Sequence, residues 1–101
     1  SFVVKSANLT VSSDDAAGDH HVIRLQGALF FGTQARIQEI ESMAEGATQV
    51  TLDLTHAHSA DLSALSALCE LRERLEERGA TVVITGARPE VRRELGRVGL
   101  A

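Results

Sequence analysis

The sequence has no tryptophan, no tyrosine and only three phenylalanines. Any core it builds must be aliphatic, because the large rings that dominate most cores are missing. Cysteine occurs once, at Cys69, which excludes an internal disulfide framework and fits a reducing compartment. No apolar run approaches the ~20 residues needed to cross a bilayer, and no signal peptide is visible, so this segment does not insert into a membrane by itself. A basic excess is absent too. The net charge is −4, which argues against a nucleic-acid partner. Nine of the ten basic residues are arginine, and seven of those follow position 70 among many glutamates, so they read as mixed solvated faces. The chain opens on Ser1 rather than Met, as a piece cut from a longer product or a start left by cloning would.

What remains is an ordinary globular balance, 44% apolar and 24% charged over 101 residues. That is enough for one core, and residues 1–101 are read as a single domain. Phe2–Val4 and Asn8–Val11 favour one or two short strands. Ser12–Asp19 reads as a polar turn-rich loop, and His21–Gln26 as a second strand ended by Gly27, which makes a hairpin. The glycine-bracketed Gly27-Ala28-Leu29-Phe30-Phe31-Gly32 reads as a core anchor, with at least one of Phe30 and Phe31 buried. Thr33 then suits the N-cap of a helix carrying Ile37, Ile40 and Met43 or Ala44 on one face, and Gly46 suits its stop.

Gln49–Leu54 alternates cleanly, with Val50, Leu52 and Leu54 on one side and Thr51 and Asp53 on the other, as a strand buried on one face does. Leu62–Arg78 is the clearest helix. Ala64, Leu68, Leu71 and Leu75 recur at i, i+4, i+7 and i+11, Glu70 and Arg74 are spaced to pair, and Gly79 closes it. Thr81–Thr85 is an almost wholly apolar strand, expected near the sheet centre with Val83 beside Leu68 and Leu75. Pro89 suits the first position of a last helix striped by Val91, Leu95 and Val98 and ended by Gly99. Strands alternating with helices imply a largely parallel sheet core, with helices mainly on one side.

The chemistry concentrates where the Asp53-Leu54-Thr55 strand end passes through a polar loop into the helix at Leu62. Asp61 can cap that helix, and Ser63 stands in its first turn, where unpaired N–H groups and the positive dipole end can receive an anion or a partner's carboxylate. His56, His58 and Asp61 lie close together, as do His20 and His21. A metal needs three or four convergent ligands with a second shell, and alternate histidines in a surface loop read as polar loop residues, so no metal site is expected. Ser63, Asp61 and a histidine contain the residue types of a hydrolase, but no nucleophile elbow or oxyanion hole accompanies them. No glycine-rich phosphate loop is present. No catalytic residue and no cofactor are assigned, and Cys69 reads as a small apolar helix residue.

Together these stretches resemble a STAS domain, the module shared by sulfate-permease-type (SulP) anion transporters and anti-sigma factor antagonists. The likeness runs over residues 22–100. Leu52-Asp53-Leu54-Thr55 and Asp61-Leu62-Ser63-Ala64 are similar to its central marker, although Leu62 and Ala64 depart from the usual small residue and glycine. Gly27–Gly32 and the Thr85–Arg92 and Gly99-Leu100 ending resemble the transporter branch. The resemblance implies an α/β, STAS-like fold, a mixed four- to five-stranded sheet with helices packed mainly on one face. It implies a regulatory domain on the cytoplasmic side of a bacterial membrane anion transporter, whose partners are the transmembrane domain of the same protein and a cytosolic regulator. The contact loop is expected at Asp61, Leu62, Ser63 and Ala64, where the pinned strand end meets the helix start, and Ser63, which matches the family's marker, is a candidate phosphosite. The alternatives are a free-standing anti-sigma factor antagonist switched at Ser63 and a small enzyme using the histidine-rich loop.

Overall fold

The computed structural model describes residues 2–5, 9–29 and 34–100. The expected Thr33 cap and the burial of Phe30 or Phe31 lie outside the described residues. The elements run β1 (Phe2–Lys5), β2 (Leu9–Ala17), β3 (His20–Leu29), α1 (Gln34–Met43), β4 (Gln49–Asp53), β5 (Ala57–Ala60), α2 (Leu62–Glu77), β6 (Thr81–Thr85) and α3 (Pro89–Arg97). The sheet follows the order β1-β2-β3-β4-β6, with β5 added beside β3. β1, β2 and β3 are antiparallel, whereas β3, β4, β5 and β6 are parallel. The parallel part is what the alternation of elements predicts, and the whole is the mixed α/β sheet that the resemblance implies.

One apolar surface explains the packing. The inward alternation of β3 and β4 puts Ile23, Leu25, Val50 and Leu52 on one face, all at 1% exposure or less. α2 lays Ala64, Leu65, Leu68, Leu71 and Leu75 against that surface, α1 adds Ile37 and Ile40, and α3 adds Val91 and Leu95. Burial of such branched side chains stabilises by roughly 1.5–3 kcal/mol each before chain entropy is counted. The helices are also tied together by charge. Arg74, spaced to pair with Glu70, reaches across to Glu41 of α1 at 3.1 Å, and Arg78 bonds the same carboxylate. The opposite face of the sheet is polar. His20 bonds Thr51 there at 2.9 Å, and Arg24 stands between Asp14 and Asp53 at 3.6 and 3.5 Å.

Four expectations give way to pairing. The polar loop expected between Thr55 and Leu62 holds a strand, β5, which pairs with β3. Ser12–Asp15 is strand rather than loop, because those residues pair with Arg24–His21 of β3, and the turn shrinks to Gly18-Asp19. β3 runs through Gly27 to Leu29 instead of ending at the glycine. β6 is an edge strand rather than a central one, and Val83 lies off the core at 38% exposure. Register decides that face: Val82 pairs with Val50 and Ile84 with Leu52, so Val82 and Ile84 take the inward positions and Val83 joins Thr51 outside.

Candidate contact site at the start of α2

The site grows out of an interruption in one flank of β3. β4 pairs with His20–Arg24 of β3, and β5 resumes the pairing at Gly27–Leu29. Between them the chain steps out of the ladder at Leu54–His56. Leu54 stays buried, Ala57 N–H returns to Leu54 C=O at 3.0 Å, and Gly27 N–H donates to His56 C=O at 2.9 Å. The Asp53 carboxylate accepts from the Thr55 N–H at 3.0 Å and also from its hydroxyl. Thr55 packs on Gly86, where φ is +74° and an added Cβ would sit 2.2 Å from Thr55 Oγ1. Gly86 is thus required twice, by its left-handed backbone and by the close approach. Partial burial alone would raise the Asp53 pKa, but the two Thr55 hydrogen bonds, Arg24 and His56 together outweigh it and hold the carboxyl below its ordinary value.

From this anchored step β5 delivers Asp61 to the start of α2. Asp61 N–H donates to Leu29 C=O at 3.4 Å. The Asp61 backbone is extended, and its carboxylate accepts from Ala64 N–H at 2.7 Å and from the Ser63 hydroxyl at 3.1 Å. Asp61 is therefore the N-cap, as its position ahead of the leucine stripe predicts. The cap changes the site's chemistry: Asp61 already supplies a negative group to the helix N-terminus, so an incoming anion meets a carboxylate. The Ser63 hydroxyl donates its hydrogen bond to that carboxylate, which holds the side chain against the cap.

The four expected loop residues divide in two. Asp61, Leu62 and Ser63 are exposed, and Ala64 is buried at 2%. Leu62 is 62% exposed, the most exposed large apolar side chain among the described residues. Sequence reading placed Leu62 at the helix start but missed that the stripe leaves it outside: α2 buries residues 64, 65, 68, 71 and 75, and position 62 faces away. His56 and His58 are exposed at this end, while His20 begins β3 and His21 bonds Met43 C=O at the other end. Among the described residues no three His, Cys, Asp or Glu side chains gather as a metal would need. Cys69 is half-buried, its thiol 3.5 Å from Val98 C=O. A groove of about 720 Å³ opens at the far end of the sheet, lined by Glu41, Ser42, Thr48 and Arg78, away from this site.

Residues 13–101 match the family model described as STAS domain. No curated protein sequence matches the chain. Among solved structures, an antisigma-factor antagonist STAS domain from Rhodobacter sphaeroides is 27% identical, with a TM-score of 0.63 over 79% of this chain and 88% of its own. A sulfate transporter family protein from Wolinella succinogenes is 22% identical, with a TM-score of 0.72 over 86% of this chain and 72% of its own. The Bacillus cell fate determinant SpoIIAA in its phosphorylated form is 17% identical, with a TM-score of 0.66 over 89% of this chain and 84% of its own.

Proposed function

Since the chain belongs to the STAS domain family, we propose that it is a non-catalytic regulatory and protein-interaction domain of a bacterial membrane anion transporter of the sulfate type, docking through the first turn of α2. In this reading the domain sits on the cytoplasmic face of the inner membrane, and its partners are the transmembrane domain of its own transporter and a cytosolic regulatory protein. The observation that carries it is Leu62, 62% exposed between the exposed polar residues Asp61 and Ser63. An apolar side chain held out on a capped helix start can fill a partner's pocket, and a few residues buried at the centre of an interface, inside a polar rim, carry most of its energy. The transporter branch is further supported by the glycine-bracketed segment from Gly27 and by the departure of Leu62 and Ala64 from the small residue and glycine of the shared marker.

The second reading is an anti-sigma factor antagonist switched at Ser63. It is favoured by the exposure of Ser63 and by the likeness to an antagonist fold determined in a phosphorylated form. A phosphoryl group there removes the proton donated to Asp61 and sets roughly −1.5 to −2 charges beside that carboxylate, so modification would alter the cap itself.

The test is Leu62→Ala, assayed for binding to the transmembrane part of the transporter and for anion uptake by the full-length protein. The expected result is an unchanged melting temperature with binding weakened about tenfold or more, the loss typical of an interface anchor. Unchanged binding and uptake, or conversion of the isolated domain by a kinase to a form that releases an anti-sigma factor, would replace the transporter reading.

A further inference from the structure

β6 closes one edge of the sheet, and among the described residues no strand covers its outer side. Its five residues, Thr81-Val82-Val83-Ile84-Thr85, are all β-branched. Edge strands are ordinarily guarded by charge, proline or a bulge. β6 carries no charge and no proline, and it pairs with β4 without a register shift. Thr81 N–H donates to Thr48 C=O, and Thr85 C=O accepts from Leu54 N–H. In a parallel ladder that parity turns the backbone groups of Thr81, Val83 and Thr85 toward β4, and leaves those of Val82 and Ile84 pointing outward. The four outward groups are symmetric about Val83.

We propose that this edge binds a second copy of itself, with two β6 strands antiparallel across a two-fold axis at Val83. On that axis Val82 of one copy exchanges both of its hydrogen bonds with Ile84 of the other, and the exchange occurs twice. All four outward groups are then satisfied within the strand. An axis at Val82 would instead set Ile84 against Ala80, which is buried and precedes the strand. The side chains agree with the axis, because the strand reads Thr-apolar-Val-apolar-Thr from either end, and the two exposed Val83 side chains meet on the sheet's open face. A self-complementary patch of this kind is what an isologous contact requires. A foreign strand could use the same hydrogen bonds, but only a second copy makes use of the near-palindrome. The contact covers less than the ~1,000 Å² of a stable interface, so the association is transient and concentration-dependent.

The test pairs sedimentation with cysteine cross-linking, the latter in a Cys69→Ser background. The wild-type chain is expected to associate as its concentration rises toward ~1 mM. Val83→Lys, on an exposed position, is expected to keep the melting temperature and weaken association roughly fivefold or more, since like charges directly opposite on paired strands repel. Paired residues of the non-hydrogen-bonded kind have Cα atoms about 4.5 Å apart, within disulfide range. Val83→Cys therefore links to itself on mild oxidation, whereas Thr85→Cys links only when mixed with Thr81→Cys. A wild type that stays monomeric, a Val83→Lys chain that associates equally well, or Thr85→Cys linking to itself as fast as Val83→Cys would each overturn the proposal.

Discussion

Gly86→Ala tests how the contact end is held. The new methyl group meets two separate obstacles. Its backbone must keep φ at +74°, which disfavours an L-residue by roughly 1–2 kcal/mol. Its Cβ would also sit 2.2 Å from Thr55 Oγ1 and 3.1 Å from Thr55 Cα. Thr55 has little freedom to yield, because it is β-branched and its hydroxyl is bonded to Asp53. Overlaps of this kind cost about 1–3 kcal/mol. The sum predicts about 2–5 kcal/mol of destabilisation. A double-mutant cycle separates the two parts. In a Thr55→Ala background the 2.2 Å overlap with the hydroxyl is gone, while the backbone part, roughly 1–2 kcal/mol, and the 3.1 Å approaches to the Cα and Cβ of residue 55 remain, so the cost falls but does not vanish. Urea denaturation of the wild type, the two single variants and the double variant is the assay. The reasoning fails if Gly86→Ala has the same effect in both backgrounds, or if it costs under ~1 kcal/mol in the wild type.

Leu68→Ala empties part of the stripe that α2 lays on the sheet and is expected to lower stability by ~2–5 kcal/mol in the same denaturation assay; an unchanged midpoint would contradict the helix register. Asp61→Ala removes the cap and is expected to cost ~0.5–2 kcal/mol, whereas Ser63→Glu is expected to preserve the fold and weaken partner binding in a pull-down with the transmembrane part. Asp53 supplies a pH dependence. Its folded pKa is depressed, so its contribution is complete above the ordinary carboxylate value of about 3.9 and is lost as pH falls through the lower folded value. Asp53→Asn is expected to flatten the fall in melting temperature over that acid range, and an acid limb identical to wild type would refute the assignment.

The parts of the fold written in local pattern were legible in advance. The leucine spacing of α2, the acid ahead of it and the glycines behind it are decided within one or two turns of chain, so Asp61 as cap and Gly46, Gly79 and Gly99 as stops could be read directly. What pairing decides was not legible. Ala57-His58-Ser59-Ala60 has little strand propensity of its own and becomes β5 because the last residues of β3 offer an unpaired flank. Ser12–Asp15 is polar and becomes strand because β3 lies opposite. The two valines and isoleucine of β6 carry no alternation, so register with β4 had to choose which of them face inward. At the contact site, the identity of the cap could be read, while the outward placement of Leu62 emerged only once the buried stripe was fixed at Ala64 and Leu65.

The interruption between β4 and β5 also sets how the domain breathes. β4 lies between two strands, whereas among the described residues β5 pairs with β3 alone, over three residue pairs. Amide hydrogens of Val50 and Leu52 should therefore exchange with solvent only when the whole domain opens, and those of the β5 segment through a smaller, more frequent fluctuation. That fluctuation loosens the mooring of Asp61 and, with it, the first turn of α2. A partner seated on Leu62 closes the fluctuation, so its arrival would be recorded as slowed deuterium uptake in β5, a segment behind the contact itself.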